Sequence, residues 1–306
     1  MSSTVEDSPA YTSGWRDTAK DLVAGAAGGV AQVIIGQPFD LVKVRLQTQG
    51  NTNITALSLT QQIWKREGPL SFYKGSLVPL LGVGACVSIQ FGAFHFFRHH
   101  IEQHNHQQKL TLSQYYLAGS LAGLTNSIIS GPIEHIRIRL QTQPHSASSP
   151  SVLYTGPLDC ARKIISQAGI FRGLYRGQVA TLIREGHGIG VWFASYEGFL
   201  SLAAEKQGKK GRDELPSWQI ALCGGLAGEM LWLLSHPVDV IKSKMQSDGF
   251  GDRQQRYKGF REAVRMTWVG EGVAGFFFGI GPALARAMPV SAGTFAVVEV
   301  VRKGLV

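Results

Sequence analysis

Cysteine is scarce in this chain. Cys86, Cys160 and Cys223 are the only three in 306 residues, odd in number and far apart, which excludes a disulfide framework and a cysteine-ligated metal. The amino-terminal segment lacks the apolar core of a secretory signal. With Glu6 and Asp7 it also lacks the arginine-rich, acid-poor character of a transit peptide, so any organelle address is expected to be internal. No nucleophile, base and orienting group can be placed together, so an enzyme is not expected, and neither a cofactor nor a metal is implied. Charge is also sparse, at 17% of the chain, and its placement is informative.

A hydrophobic content of 44% and a mean hydropathy of +0.02 would by themselves suit a soluble protein of one or two domains. The average conceals six apolar stretches with very few charges, at about 22–37, 77–97, 115–133, 178–200, 217–236 and 280–301. Their length, roughly 20 residues, spans a bilayer core. Between them, segments 39–75, 133–177 and 238–279 hold 18 of the 30 Lys and Arg but 9 of the 21 Asp and Glu, which is the whole net charge of +9. An excess of positive charge on alternate loops places those loops on one side of a membrane and both termini on the other. Nucleic-acid binding would account for the high pI but not for basic segments that alternate with apolar spans. The expected fold class is an all-α membrane protein of six transmembrane helices.

The chain repeats itself, and periodicity of this kind decides the architecture. The string from Pro38 through Asp40, Lys43 and Arg45 to Gln47 recurs from Pro132 through Glu134, Arg137 and Arg139 to Gln141, and again from Pro237 through Asp239, Lys242 and Lys244 to Gln246. Small-residue runs at 25–29, 119–123 and 224–228 precede the prolines, and small residues four apart let membrane helices approach closely. Gly75, Gly177 and Gly279 follow an aromatic-rich step in each copy and are 102 residues apart. The units are an amino-terminal tail, 1–13, and three repeats with short helices in the basic loops, 14–106, 107–208 and 213–306. Together these features make the chain resemble the mitochondrial carrier family over essentially everything after residue 14.

That resemblance implies a threefold pseudosymmetric bundle in the mitochondrial inner membrane, with basic loops toward the matrix, termini toward the intermembrane space, and transport by alternating access. A proline within a helix removes a backbone hydrogen bond and bends it, so Pro38, Pro132 and Pro237 should turn three helices inward. The family pattern pairs Asp40 with Arg137, Glu134 with Lys242 and Asp239 with Lys43 as a matrix gate. The alternative is three pairs within single helices, at spacing three. Positions 44, 138 and 243 are Val, Ile and Ser, so the glutamine that braces this ring in some members is expected to be absent and the gate weaker. At the opposite end the aligned positions are His95 with Arg98, Glu197 with Leu200, and Glu299 with Arg302. Only the third copy keeps an acid and a base, and Glu299 is expected to pair with Arg98.

Charge within the spans marks the substrate site, because an ionised group at the bilayer centre costs about 2.5–3.5 kcal/mol on insertion scales. Seven residues after the aligned glycines stand Gly82, beside Val83, then Arg184, beside Glu185, and Arg286. In the family this level touches substrate. Two arginines suit a carboxylate, and Glu185 suits an ammonium group, so an amino acid or a carnitine-like zwitterion is expected. The alternative is that Arg184 and Glu185 neutralise each other while Arg286 snorkels. Glu229 lies near mid-membrane: facing the cavity it would favour a basic amino acid such as ornithine, and facing a neighbour it would leave a site for glutamate or another anion. Its helical phase is about 80° from that of Asp239. Trp232 is the better lining candidate.

Lys74 with Gly75, Arg176 with Gly177, and the loop glycines Gly156 and Gly259 resemble the family's cardiolipin-holding motifs, incompletely in the first and third copies. The expected function is therefore amino acid transport by a functional monomer. A carnitine or acylcarnitine carrier, another organic-acid exchanger, and a non-transporting adaptor of the same fold are the alternatives.

Overall fold

The computed structural model of the chain describes residues 15–49, 54–105, 110–143, 153–209, 214–249 and 255–304. The first repeat consists of α1 (Trp15–Gln49), α2 (Ala56–Glu67), a 3-10 turn (Pro69–Tyr73) and α3 (Leu77–His104). The second has α4 (Leu112–Thr142), α5 (Pro157–Gly169), a π turn (Ile170–Leu174) and α6 (Gln178–Lys206). The third has α7 (Ser217–Ser247), α8 (Phe260–Glu271), a 3-10 turn (Val273–Phe277), α9 (Ile280–Ala285) and α10 (Ala287–Gly304). No strand occurs among the described residues. The long helices pack in chain order, and α9 and α10 return to α1, so they close a ring. Helices α1, α4 and α7 run through Pro38, Pro132 and Pro237.

Two sequence landmarks meet in space. Gly75, Gly177 and Gly279 have φ of 76°, 78° and 78°, the left-handed region that glycine alone enters without penalty. Each also lies against the next repeat around the ring. A Cβ at Gly75 would stand 3.3 Å from Gln141 Cγ, one at Gly177 3.2 Å from Gln246 Cγ, and one at Gly279 2.8 Å from the Lys43 carbonyl. The glycines therefore both start a helix and admit the neighbouring repeat.

The bundle is inverted relative to a water-soluble one. Helix α4 buries Asn126, Ser127, Ser130 and Arg139 and exposes Leu117, Leu124, Ile128 and Ile129. Soluble proteins bury the second set. This interior polarity also explains why, among the described residues, only segment 273–294, together with the bent pair 69–82 and 84–104, is long and apolar enough to cross a membrane by composition.

The small-residue runs do different things. A Cβ at Gly123 on α4 would fall 2.2 Å from the Glu185 carbonyl on α6, and one at Gly190 2.4 Å from Ser120 Oγ. These two helices touch backbone to backbone. The third run, expected from its sequence to pack in the same way, does not: a Cβ at Gly225 or Gly228 would have nothing within 4 Å. Both glycines line a cavity, so their smallness leaves space instead of permitting contact. For Gly123→Leu we expect a loss of roughly 3 kcal/mol or more, because backbone has to move. Gly225→Ala should be near neutral; a thermal melt in detergent that places the two variants within about 2 °C of one another would refute the difference.

Candidate functional site

Eight charged side chains from all three repeats converge where α1, α4 and α7 pass their prolines. Asp239 Oδ2 lies 2.6 Å from Lys43 Nζ, Asp40 Oδ2 lies 2.6 Å from Arg137, and Glu134 pairs with Lys242. Every pair bridges two repeats, so the alternative of three pairs within single helices does not describe this geometry. Arg286 adds a 2.9 Å contact to the other oxygen of Asp40. Arg184 Nε lies 3.5 Å from Asp239 Oδ1 and the same guanidinium also pairs with its neighbour Glu185. The cluster closes around a void of only about 60 Å³. Asp40, Lys43, Asp239 and Lys242 are all under 9% exposed, a burial that charged groups tolerate only when paired.

The expected lack of a glutamine brace is corrected here. Gln47 donates from Nε2 to Asp239 Oδ2 at 3.1 Å. It stands four residues beyond Lys43, hence on the same helix face, and both side chains reach the same carboxylate. Gln37 contributes to another corner, accepting from Arg137 at 2.8 Å.

Trp232 sits above the cluster. Lys43 Nζ is 3.8 Å from its ring centroid and the Arg184 guanidinium is 5.2 Å away, within cation–π range. On its other side Trp232 lines a cavity of about 770 Å³ that opens away from the closed cluster. Phe91, Phe94, Trp192, Phe193 and Tyr196 form an aromatic wall there, with His95, Arg98 and Glu197 nearer the mouth. Glu229 lines neither this cavity nor the void beneath it. Gly82 lies against Ile133, 3.2 Å from where its Cβ would be. The side chains of Val83, Glu299 and Arg302 lie outside the described residues. Arg98 is held at 2.8 Å by Glu102, one turn along α3, a partner that the expected pairing with Glu299 did not include.

Beneath the cluster a second tier joins the long helices to the short ones. Glu67 receives Arg45 and Lys74, each at 2.5 Å, and Glu271 receives Lys244 at 2.6 Å. Burial would raise the Glu67 carboxyl, but the hydrogen bonds from Arg45 and Lys74 outweigh it and hold the group below the usual carboxylate range. The second repeat has Ala168 where its neighbours have the acid. There Arg176 crosses to the third repeat, meeting Asp248 at 2.5 Å, the Gly249 carbonyl at 2.7 Å and the Tyr257 carbonyl at 3.1 Å. Lys74 and Arg176, expected at lipid phosphates, are therefore engaged within the protein. Gly156 and Gly259 begin α5 and α8 without a side-chain cap, whereas Thr55 and Ser58 cap α2 reciprocally.

The model of the family described as "Mitochondrial carrier protein" matches the chain three times in succession, at residues 14–105, 108–207 and 213–306. The chain belongs to the mitochondrial carrier family. Among its relatives, the glutamate/glycine mitochondrial carrier ymc1 of Schizosaccharomyces pombe is 43% identical over 92% of this chain and 93% of its own length. The mitochondrial glycine transporter YMC1 of Saccharomyces cerevisiae is 42% identical over 92% and 89%, and the mitochondrial basic amino acids transporter of Rattus norvegicus is 39% identical over 92% and 89%. Carriers of this family are transporters, and the convergence of charge at the floor of an open cavity is consistent with that activity.

The pairs differ in how a charge swap should act. Glu134 has Lys242 as its close cation, while Asp40 is shared by Arg137 and Arg286. Each reversal, Glu134→Lys or Lys242→Glu, should lower transport at least about tenfold, since an uncompensated buried charge is costly. Combining them should restore a third or more of the wild-type rate, and the equivalent exchange of Asp40 and Arg137 should restore less. Equal recovery at the two corners in a proteoliposome assay would contradict this asymmetry.

Proposed function

We propose that the chain moves a small neutral or acidic amino acid, of the glycine or glutamate class, across the mitochondrial inner membrane by alternating access. The observation that carries this reading is the charge balance at the cavity floor. Five cations, Lys43, Arg137, Arg184, Lys242 and Arg286, face three carboxylates; Glu185 behind Arg184 brings the balance to plus one. Glu229, which would have made the site suit two amines, is off the lining. One excess positive charge in a water-filled funnel favours a solute that brings a carboxylate.

In this reading α1, α3, α4, α6, α7 and the pair α9 and α10 are the six spans. The basic loops lie in the matrix and both termini face the intermembrane space. The three inter-repeat ion pairs are the matrix gate, closed here, and the 770 Å³ cavity opens toward the intermembrane space. The protein acts as a monomer. Cardiolipin phosphates would sit on the first-turn amides of α5 and α8, where the helix dipole favours an anion. Because α2 is capped by its own Thr55, two such sites are more consistent with the local structure than three.

A basic amino acid is a second reading, favoured by Glu197 at the cavity mouth and by the names of the 39% identical relatives. Proteoliposomes preloaded with glycine, glutamate, ornithine, arginine or carnitine decide between them. Uptake of labelled glycine or glutamate should exceed that of ornithine at least about tenfold. A preference for ornithine or arginine would overturn the assignment, and a preference for carnitine would move the chain to the zwitterion-carrier alternative.

A further inference from the structure

Four of the nine histidines, His95, His99, His100 and His104, fall within ten residues at the end of α3. They form two pairs at spacing four, which puts both members of a pair on one helix face. The pairs are employed differently. His95 lines the cavity mouth beside Phe94, and His99 accepts a hydrogen bond from Gln103 Nε2 at 2.9 Å. His100 and His104 face each other instead, with ring centroids 5.4 Å apart and planes at 72°. Both are exposed, and among the described residues neither ring makes a hydrogen bond.

We propose that His100 and His104 form a two-ligand site for a transition-metal ion of the zinc or copper(II) class, on the outer face of the last turn of α3. Two imidazoles that share one tetrahedral ion through bonds of about 2.0–2.1 Å have centroids about 5 Å apart. The observed separation is therefore closed by a small turn of either side chain. Phe96, one turn earlier, stacks on His100 at 6.0 Å and 13°; it holds the ring plane and leaves the edge that carries the nitrogens open. Residues 100 and 104 lie beyond the apolar stretch 77–97, so water reaches the ion and completes its coordination. His104 is also the last residue of the helix, where the carbonyl end of the dipole favours a cation. Imidazole selects zinc and copper over magnesium and calcium, which take oxygen ligands. No group of three or more His, Cys, Asp or Glu able to hold a metal occurs among the described residues, so the ion is exchangeable, unlike one in a closed four-ligand site. The chelate spans one turn, as does the Arg98–Glu102 ion pair in the same segment, and a bound ion ties down the helix end beside the cavity mouth. The site is independent of which solute the carrier moves.

The test uses the full-length carrier without an affinity tag, in detergent and stripped with EDTA, and Zn2+ alone as the probe. An excess of Zn2+ should raise the melting midpoint by a few °C, as binding to the folded state requires, whereas Mg2+ should not. The shift should persist in His99→Ala and disappear in His100→Ala and in His104→Ala. Because both rings are exposed, these two variants should melt with the parent when no metal is present. A second measurement needs no variant: diethyl pyrocarbonate modifies exposed histidines, and mass spectrometry reads each position. Zn2+ should slow modification of His100 and His104 several-fold and leave His99 unchanged. A Zn2+ shift that survives in His104→Ala, protection of His99 equal to that of His100, or a parent that neither shifts nor is protected overturns the site.

Discussion

Buried charge has to be paired, and that constraint organises the whole molecule. Asp40, Lys43, Asp239 and Lys242 are each nearly sealed from water, and in the ring each acid takes its close cation from a neighbouring repeat. That pairing brings the ends of α1, α4 and α7 together. The rest of the architecture serves that approach. Gly75, Gly177 and Gly279 let each second helix begin against the next repeat's glutamine, and the inter-repeat distances at the floor follow from it. Away from the floor, glycine brings α4 and α6 into backbone contact, while the glycines of α7 leave the cavity open.

Departures from threefold symmetry then acquire physical meaning. The tie between each long helix and its short helix uses a glutamate in the first and third repeats, Glu67 and Glu271. In the second, Ala168 removes it, and Arg176 takes Asp248 of the third repeat instead. The second and third repeats are thereby joined below the ring by an ion pair with no counterpart at this level among the described residues. The three seams are therefore unequal, since one carries an extra buried ion pair.

Much of this is legible from residue spacing, and the misses have physical causes. The repeat and the depth of Arg184 and Arg286 follow from positions along the chain, whereas the inter-repeat pairing of Asp40, Glu134 and Asp239 is what the family resemblance implies, since spacing alone also allows pairs within single helices. Helical phase leaves Glu229 undecided between the cavity and a neighbouring helix, whereas it is absent from the lining of both the cavity and the void. What spacing does not encode is reach. The brace comes from Gln47 and not from the residue next to Lys43, because four residues is one turn and returns to the same face. Arg184 and Arg286 stand at the level their spacing indicates, yet their long side chains extend toward Asp239 and Asp40 of the ring. Lys74 and Arg176 resemble phosphate ligands in sequence, but Glu67 and Asp248 lie nearer. The small run at 224–228 reads the same as the one at 119–123, and only the three-dimensional arrangement separates a packing face from a cavity wall.

A floor built this way can be tight without being very stable. Replacing water around two ions with each other yields a small net free energy, because desolvation cancels most of the attraction. The ring in this carrier is consequently held by nearly balanced exchanges, between ion pair and hydrated ions and between Lys43 over Trp232 and Lys43 in water. None of them requires a large energy to reverse. An apolar plug of equal size would close the cavity more firmly, but a charged solute could not trade places with it. Polar closure at the cavity floor gives up stability in return for a low energy of reversal.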